Sequence, residues 1–234
     1  MKELIAHELA RRVKDGEILG VGTGSTVDAA LRAIGERVRK ESLRLSVVPT
    51  SYQSAWACQD LGLTVLNPGF RGKLAWGFDG ADEVDARLRL IKGKGAAMLQ
   101  EKILAARCQK FIVIVDESKL VQKLGEKASV PVEVIPEAVI LAEEGLRKLG
   151  ATEVTLRNCT GGKHGPVITE AGNVVYDAKF SAISDTLERD IKAIVGVVES
   201  GIFTTLASEV LVAGASGVFS LGPDGKRTAI SGAK

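Results

Sequence analysis

Apolar residues recur at helical spacing from the start of the chain: Leu4, Ile5, Leu9 and Val13 share one face, and Asp15-Gly16 ends the run. A short apolar strand, EILGVG, follows. Val27, Ala30, Leu31, Ile34 and Val38 return to helical spacing, and LRLSVVP reads as the next strand. The alternation continues through a helix from Tyr52 to Leu61 closed by Gly62, the strand LTVL, a strand ending in WGFDG and the short strand LRLI. A helix from about Ala96 to Arg107 and the β-branched run FIVIV complete it. This order predicts an α/β fold, a Rossmann-like, largely parallel sheet with helices on both faces. Ligands of such sheets bind beyond the carboxyl ends of the strands.

After about residue 128 the pattern changes. VPVEVI reads as a strand, EAVILAEEGLRKLG as a helix and EVTLR as a strand, while GPVITEAGNVVYDAKF reads as strand, turn and strand with its bend at Glu170 to Asn173. Ile183, Leu187, Ile191 and Ile194 mark a helix, and GVVES a last strand. With EVTLR merged with part of the hairpin, the sum approximates β-α-β-β-α-β, a smaller ferredoxin-like α+β domain. SEVLVAG and GVFSL are apolar runs suited to rejoin the first sheet. The expected division is an α/β domain over 1–127, a smaller ferredoxin-like domain over 128–202, and a return to the first domain over 203–234.

Composition narrows the functions available. At 234 residues and 45% hydrophobic, the chain is long enough for a substantial core. Lys and Arg number 31 against 29 Asp and Glu, so a net charge of +2 offers no field for nucleic acid or an anionic membrane. The N-terminal KELIAHELARRVK has no apolar signal core, and no run of eighteen apolar residues occurs, which points to a soluble cytoplasmic protein. Cys58, Cys108 and Cys159 lack CxxC spacing and read as reduced, space-filling residues. With only His7 and His164, a His-rich metal site and a Ser-His-Asp triad are both disfavoured, leaving a carboxylate or lysine as the base of any enzyme.

Four segments carry candidate chemistry. VGTGSTV sets Thr23, Gly24, Ser25 and Thr26 between a strand and a helix, where a helix N-terminus stabilises an anion; the plainer alternative is a helix capped by Ser25 or Thr26. The dinucleotide pattern is broken at Val27, and no Walker lysine follows. WGFDGADEVD crowds Asp79, Asp82, Glu83 and Asp85 around Gly80 and Ala81. Asp79 and Asp82 are placed to face one small volume, whereas Glu83 and Asp85 read as solvated or turn-capping. Magnesium on the two aspartates stays open, although no second ligand cluster accompanies them.

In IKGKGAAMLQEK, Lys92 and Lys94 alternate with Gly93 and Gly95 ahead of a helix that carries Glu101 among Ala97, Met98 and Leu104. Such a carboxylate is either a desolvated general base or a surface group paired with a lysine. DESKL places Lys119 at another strand end.

GTGST, DGADE, KGKGAA, EK at Glu101-Lys102, SK at Ser118-Lys119, PVEVIP and GNVVYD, in that order, resemble the ribose-5-phosphate isomerase A family across most of the chain. The resemblance implies a metal-independent, cofactor-free aldose–ketose isomerase of the pentose phosphate pathway that interconverts ribose 5-phosphate and ribulose 5-phosphate, as a homodimer or homotetramer. It places the acid-base glutamate at Glu101 and substrate binding at Thr23 to Thr26, Asp79 to Asp82, Lys92 to Gly95 and Lys119. The implied mechanism has Lys92 stabilise the oxyanion and Asp79 and Asp82 hold the sugar. Lys94 stands where many bacterial relatives have glycine, which bears on how closely the backbone there can approach substrate. A non-catalytic sugar-phosphate sensor of the same fold is the alternative, without the DNA-binding extension such sensors need. A coenzyme A transferase with a glutamate nucleophile is a more distant one.

Overall fold

Val47 and Val48 are sequence neighbours and both buried, yet Val47 lies with Leu9, Leu31 and Ile34 while Val48 lies with Leu74 and Leu104. Successive strand residues point to opposite faces, so a sheet covered on both sides demands continuous apolar runs. The computed structural model, which describes residues 2–215, 217–223 and 225–232, contains such a sheet. The chain divides into two compact units, one of Met1–Ala81, Gln100–Leu120 and Leu206–Lys234, the other of Asp82–Leu99 and Val121–Thr205.

In the first unit the strands are β1 (Ile18–Val21), β2 (Ser46–Pro49), β3 (Thr64–Val65), β4 (Trp76–Asp79), β7 (Phe111–Asp116), β13 (Glu209–Gly214), β14 (Gly217–Leu221) and β15 (Arg227–Gly232). They form one sheet in the order β15-β14-β13-β7-β4-β1-β2-β3, parallel from β3 to β13 with antiparallel β14 and β15 at the edge. Helices α1 (Lys2–Arg12), α2 (Ser25–Glu41) and α3 (Tyr52–Asp60) contribute to the cluster on one face. Leu104 of α4 (Met98–Arg107) packs on the other. Glycines let this helix approach: a Cβ at Gly20 would lie 2.9 Å from Leu104 Cδ1, and one at Gly77 2.5 Å from Cys108 Sγ. All three cysteines are free, and burial pushes the Cys58 and Cys108 thiols up to about 12.

From β1 the chain steps outward to β2 and β3, then crosses back to place β4 on the other side of β1. The carboxyl ends of β1 and β4 therefore form a topological switch point, where α/β sheets open a crevice. Away from it, Arg12 of α1 forks onto Glu209 at 2.9 and 3.2 Å, joined by Lys110 at 2.6 Å and Ser220 at 2.8 Å. Burial pushes the Glu209 carboxyl up, but hydrogen bonds from Arg12, Lys110 and Ser220 outweigh it and hold the group at about 2.

In the second unit β8 (Val130–Val134), α5 (Val139–Lys148), β9 (Ala151–Leu156), β10 (Val174–Phe180), α6 (Leu187–Lys192) and β11 (Val197–Ser200) follow in chain order. The sheet runs β11-β8-β10-β9, antiparallel throughout, the ferredoxin-like arrangement. A second, three-stranded sheet joins β12 (Ile202–Phe203), β6 (Leu90–Ile91) and β5 (Glu83–Val84). Because β6 pairs with β12, and Ile91 and Ile202 enter this unit's core, residues 82–99 group here rather than with the strands that precede them.

Three local expectations differ. Of the supposed 165–180 hairpin only β10 is regular; the first arm keeps two isolated bridges, at Pro166 and Ile168. The helix expected around Ile183 to Ile194 contracts to α6, with Ile183 and Ile194 still packed on the same core from outside it. β15 is a strand that the apolar pattern does not predict. Among the described residues no helix is long and apolar enough to cross a membrane.

Candidate active site

In the first unit, the loop after β1 meets the end of β4. Asp79 is fully buried, and its Oδ1 accepts hydrogen bonds from Thr23 N at 3.1 Å and Gly80 N at 2.7 Å. Gly22 is required there, since a Cβ would overlap the Asp79 carboxyl carbon. Thr23 Oγ1 sits 2.8 Å from Thr50 Oγ1 and donates to Ser51 Oγ at 2.8 Å, while Ser54 Oγ donates to Gly22 O at 2.6 Å. The loop is thus braced by the hydroxyls that open α3.

The capping alternative fails. Gly24, at φ +118°, is the N-cap of α2, and no side chain caps it. Ser25 and Thr26 lie in the first helical turn, their hydroxyls unspent on capping, where amides and the helix dipole favour a negative charge. Lys2 Nζ donates to Ser25 Oγ at 2.9 Å, adding a cation that the sequence pattern gave no reason to select.

In the second unit, Asp82 N donates to Ile91 O at 2.8 Å, and Asp82 Oδ2 accepts from Lys94 N at 3.0 Å. One expected ligand therefore clasps the loop that supplies others. Lys92 is 2% exposed; its amide donates to Gly201 O at 2.9 Å, and its ammonium lies 5.8 Å from the Phe203 ring centroid. Gly93 adopts φ +102° and sits against Met98 and Pro131, leaving no room for a side chain. Lys94 is exposed and outside the left-handed region, which among described non-glycine residues holds Ser42, Leu88 and Ala96 alone. The loop accommodates Lys94 at no backbone cost.

Glu101 stands in the first turn of α4 and is only 5% exposed, so it is not a surface group. Lys119 closes a single 3-10 turn, Glu117–Lys119, whose N-cap Asp116 accepts from Ser118 N at 2.9 Å. Hydrogen bonding to Ser118 holds the Asp116 carboxyl below its ordinary value. Of the remaining acids, Glu83 departs from expectation and Asp85 does not. Glu83 is fully buried rather than solvated, and accepts from Gly125 N and Ala128 N, each at 2.6 Å, and from Lys127 N. It anchors a loop some forty residues on, a pairing no local pattern signals. Asp85 does shape its turn, accepting from Arg87 N and Arg89 N at 2.9 Å and from Arg89 Nε at 2.7 Å. Among the described residues, no group of three or more His, Cys, Asp or Glu is arranged to hold a metal ion.

Residues 46–217 match the family model for ribose 5-phosphate isomerase A (phosphoriboisomerase A). The chain belongs to the ribose-5-phosphate isomerase A family. A ribose-5-phosphate isomerase A of Thermosynechococcus vestitus is 44% identical over 91% of this chain and 90% of its own length, and one of Pyrococcus abyssi is 43% identical over 94% and 97%. The solved ribose 5-phosphate isomerase A of Methanocaldococcus jannaschii superposes with a TM-score of 0.89 at 42% identity, covering 94% of this chain and 97% of that one. A D-ribose-5-phosphate isomerase solved in complex with phospho-erythronic acid gives 0.90 at 40% identity over the same shares.

Proposed function

We propose that the protein interconverts D-ribose 5-phosphate and D-ribulose 5-phosphate through an enediolate, without a metal. The observation that carries this reading is the 40%-identical relative that holds phospho-erythronic acid. A phosphorylated four-carbon acid presents a planar carboxylate where an enediolate has its two oxygens, so a site that binds it is shaped for the intermediate. Membership of the isomerase family favours this reading over a sensor.

The chemistry assigns roles. Glu101 removes the C-2 proton as its electrons form the C-1–C-2 double bond and the C-1 carbonyl oxygen becomes an oxyanion. The same proton returns to C-1, while a proton passes from O-2 to O-1, so nothing is gained or lost overall. Lys92 and, within the Lys92–Gly95 loop, the Gly95 amide stabilise the charge that develops. Asp79 and Asp82 bind sugar hydroxyls and assist ring opening. The phosphate rests on Thr23, Gly24, Ser25 and Thr26, with Lys2 beside Ser25, and Lys119 contributes to substrate binding. The protein acts in the cytoplasm as a homodimer or homotetramer, with an α/β catalytic domain and a ferredoxin-like lid domain.

The test is ketopentose formation from ribose 5-phosphate in the presence of chelator, with ribose as the control. Turnover of the phosphorylated sugar alone is expected. No turnover, or turnover restored only by added magnesium, would overturn the reading.

A further inference from the structure

Arg157 follows directly on β9, 64 residues from Gly93, yet its Nη1 donates to both Gly93 O and Lys94 O at 3.0 Å. Two further donors are committed as well: Nε and Nη2 fork onto Asp177 at 2.8 and 2.6 Å. The pair is largely buried, with side chains 17% and 27% exposed. Only a guanidinium can do this, since its planar fork carries donors on separate edges while an ammonium is a point charge. The contact therefore fixes direction as well as distance.

That direction has a chemical consequence. In a trans peptide the carbonyl of one residue and the amide of the next point opposite ways. Turning the Gly93 and Lys94 carbonyls toward Arg157 turns the Lys94 and Gly95 amides away from it. The Lys94 amide reaches Asp82 at 3.0 Å, and Gly95 is exposed, with open space where a side chain would stand. The guanidinium sits at the negative ends of two peptide dipoles, so its charge also strengthens the opposite amides as donors.

We propose that Arg157, oriented by Asp177, is a positioning residue that holds the Lys92–Gly95 loop so that the Gly95 amide is aimed at the developing oxyanion while the Lys94 amide stays on Asp82. This rests on reading that loop as the oxyanion-binding part of the isomerase site. The residue touches no reacting atom; it acts through the two peptides it holds.

The experiment compares the full-length wild type with Arg157→Ala, Arg157→Lys and Asp177→Asn, measuring kcat and KM for ribose 5-phosphate, thermal unfolding, and hydrogen exchange of residues 92–97. Misdirected catalytic groups cost on the order of 100-fold, so Arg157→Ala is expected to lose kcat by about that factor with KM within about threefold. Arg157→Lys keeps charge without the fork and is expected to lose about tenfold. Exchange at 92–97 rises, and millimolar guanidinium ion restores part of the Arg157→Ala turnover without moving its unfolding midpoint. Unchanged kcat in an active protein overturns the proposal, as does a kcat loss that tracks lost stability and is not rescued by guanidinium. Should the wild type fail to isomerise the sugar, the isomerase reading falls, and unchanged exchange at 92–97 would separately refute the hold on the loop.

Discussion

The Thr23–Thr26 loop of the first unit and the Lys92–Gly95 loop of the second are both glycine-rich turns at strand ends, but they are held by different means. The first is fixed by its neighbours: Asp79, from the strand paired with β1, accepts the Thr23 amide, and the hydroxyls at the start of α3 close around Thr23. The second is held from far along the chain, by Gly201 on the Lys92 amide and Arg157 on two carbonyls. A loop supported by its own sheet announces itself in a local motif. One supported by distant side chains shows its motif but hides its support.

The sharpest way to break that contrast is Gly201→Ala. A Cβ there would overlap Lys92 O and lie 2.7 Å from Pro131 Cδ, and because the obstacle is backbone no rotamer relieves it. Overfilled sites cost about 1–3 kcal/mol and occasionally more, so a loss of about 3 kcal/mol or greater is expected in urea unfolding. A loss under about 1 kcal/mol would show that Gly201 does not hold Lys92.

Gly22→Ala strikes the first loop. Its Cβ would meet the Asp79 carboxyl, a side chain that can yield, so about 2 kcal/mol is expected together with a fall in kcat/KM of about tenfold as Asp79 and Thr23 part. Retained kcat/KM would separate Asp79 from substrate binding.

Glu209→Gln, at the amino end of β13 and so at the opposite sheet edge from the Thr23–Thr26 loop, is the control, expected to cost about 1 kcal/mol at neutral pH with kcat unchanged. The Glu209 carboxyl titrates at about 2 in the folded chain against an ordinary value of 4.5. Its stabilisation is therefore complete above about 4.5 and is lost as pH falls toward about 2. Wild type should lose stability across that window more steeply than Glu209→Gln, as read from unfolding midpoints between pH 5 and 2. Parallel curves would show that the network does not stabilise the fold.

What the sequence made legible follows the same division. Alternation of buried strand with amphipathic helix, as in Val27, Ala30, Leu31 and Ile34 between β1 and β2, exposed the parallel sheet because each element's period is set by its own backbone. The ferredoxin-like character of the second unit was likewise approximated by its order of strands and helices, and the structure supplies the strand order. Glu83 could not be placed, because its partners at residues 125–128 are backbone amides that carry no side-chain signal. Arg157 was equally silent, one arginine after a strand, with meaning only beside Asp177 and Gly93. The first arm of the 165–180 segment has β-like residues but leaves Ile168 46% exposed, so little burial enforces a regular strand.

The central claim is that Glu101, buried in the first turn of α4, moves the proton between C-2 and C-1. Its most direct test is the kcat of Glu101→Gln on ribose 5-phosphate, with substrate binding measured alongside. A general base contributes about 10²–10⁴-fold, so a loss of at least about 100-fold with near-normal binding is expected. Turnover close to that of the wild type would contradict the account.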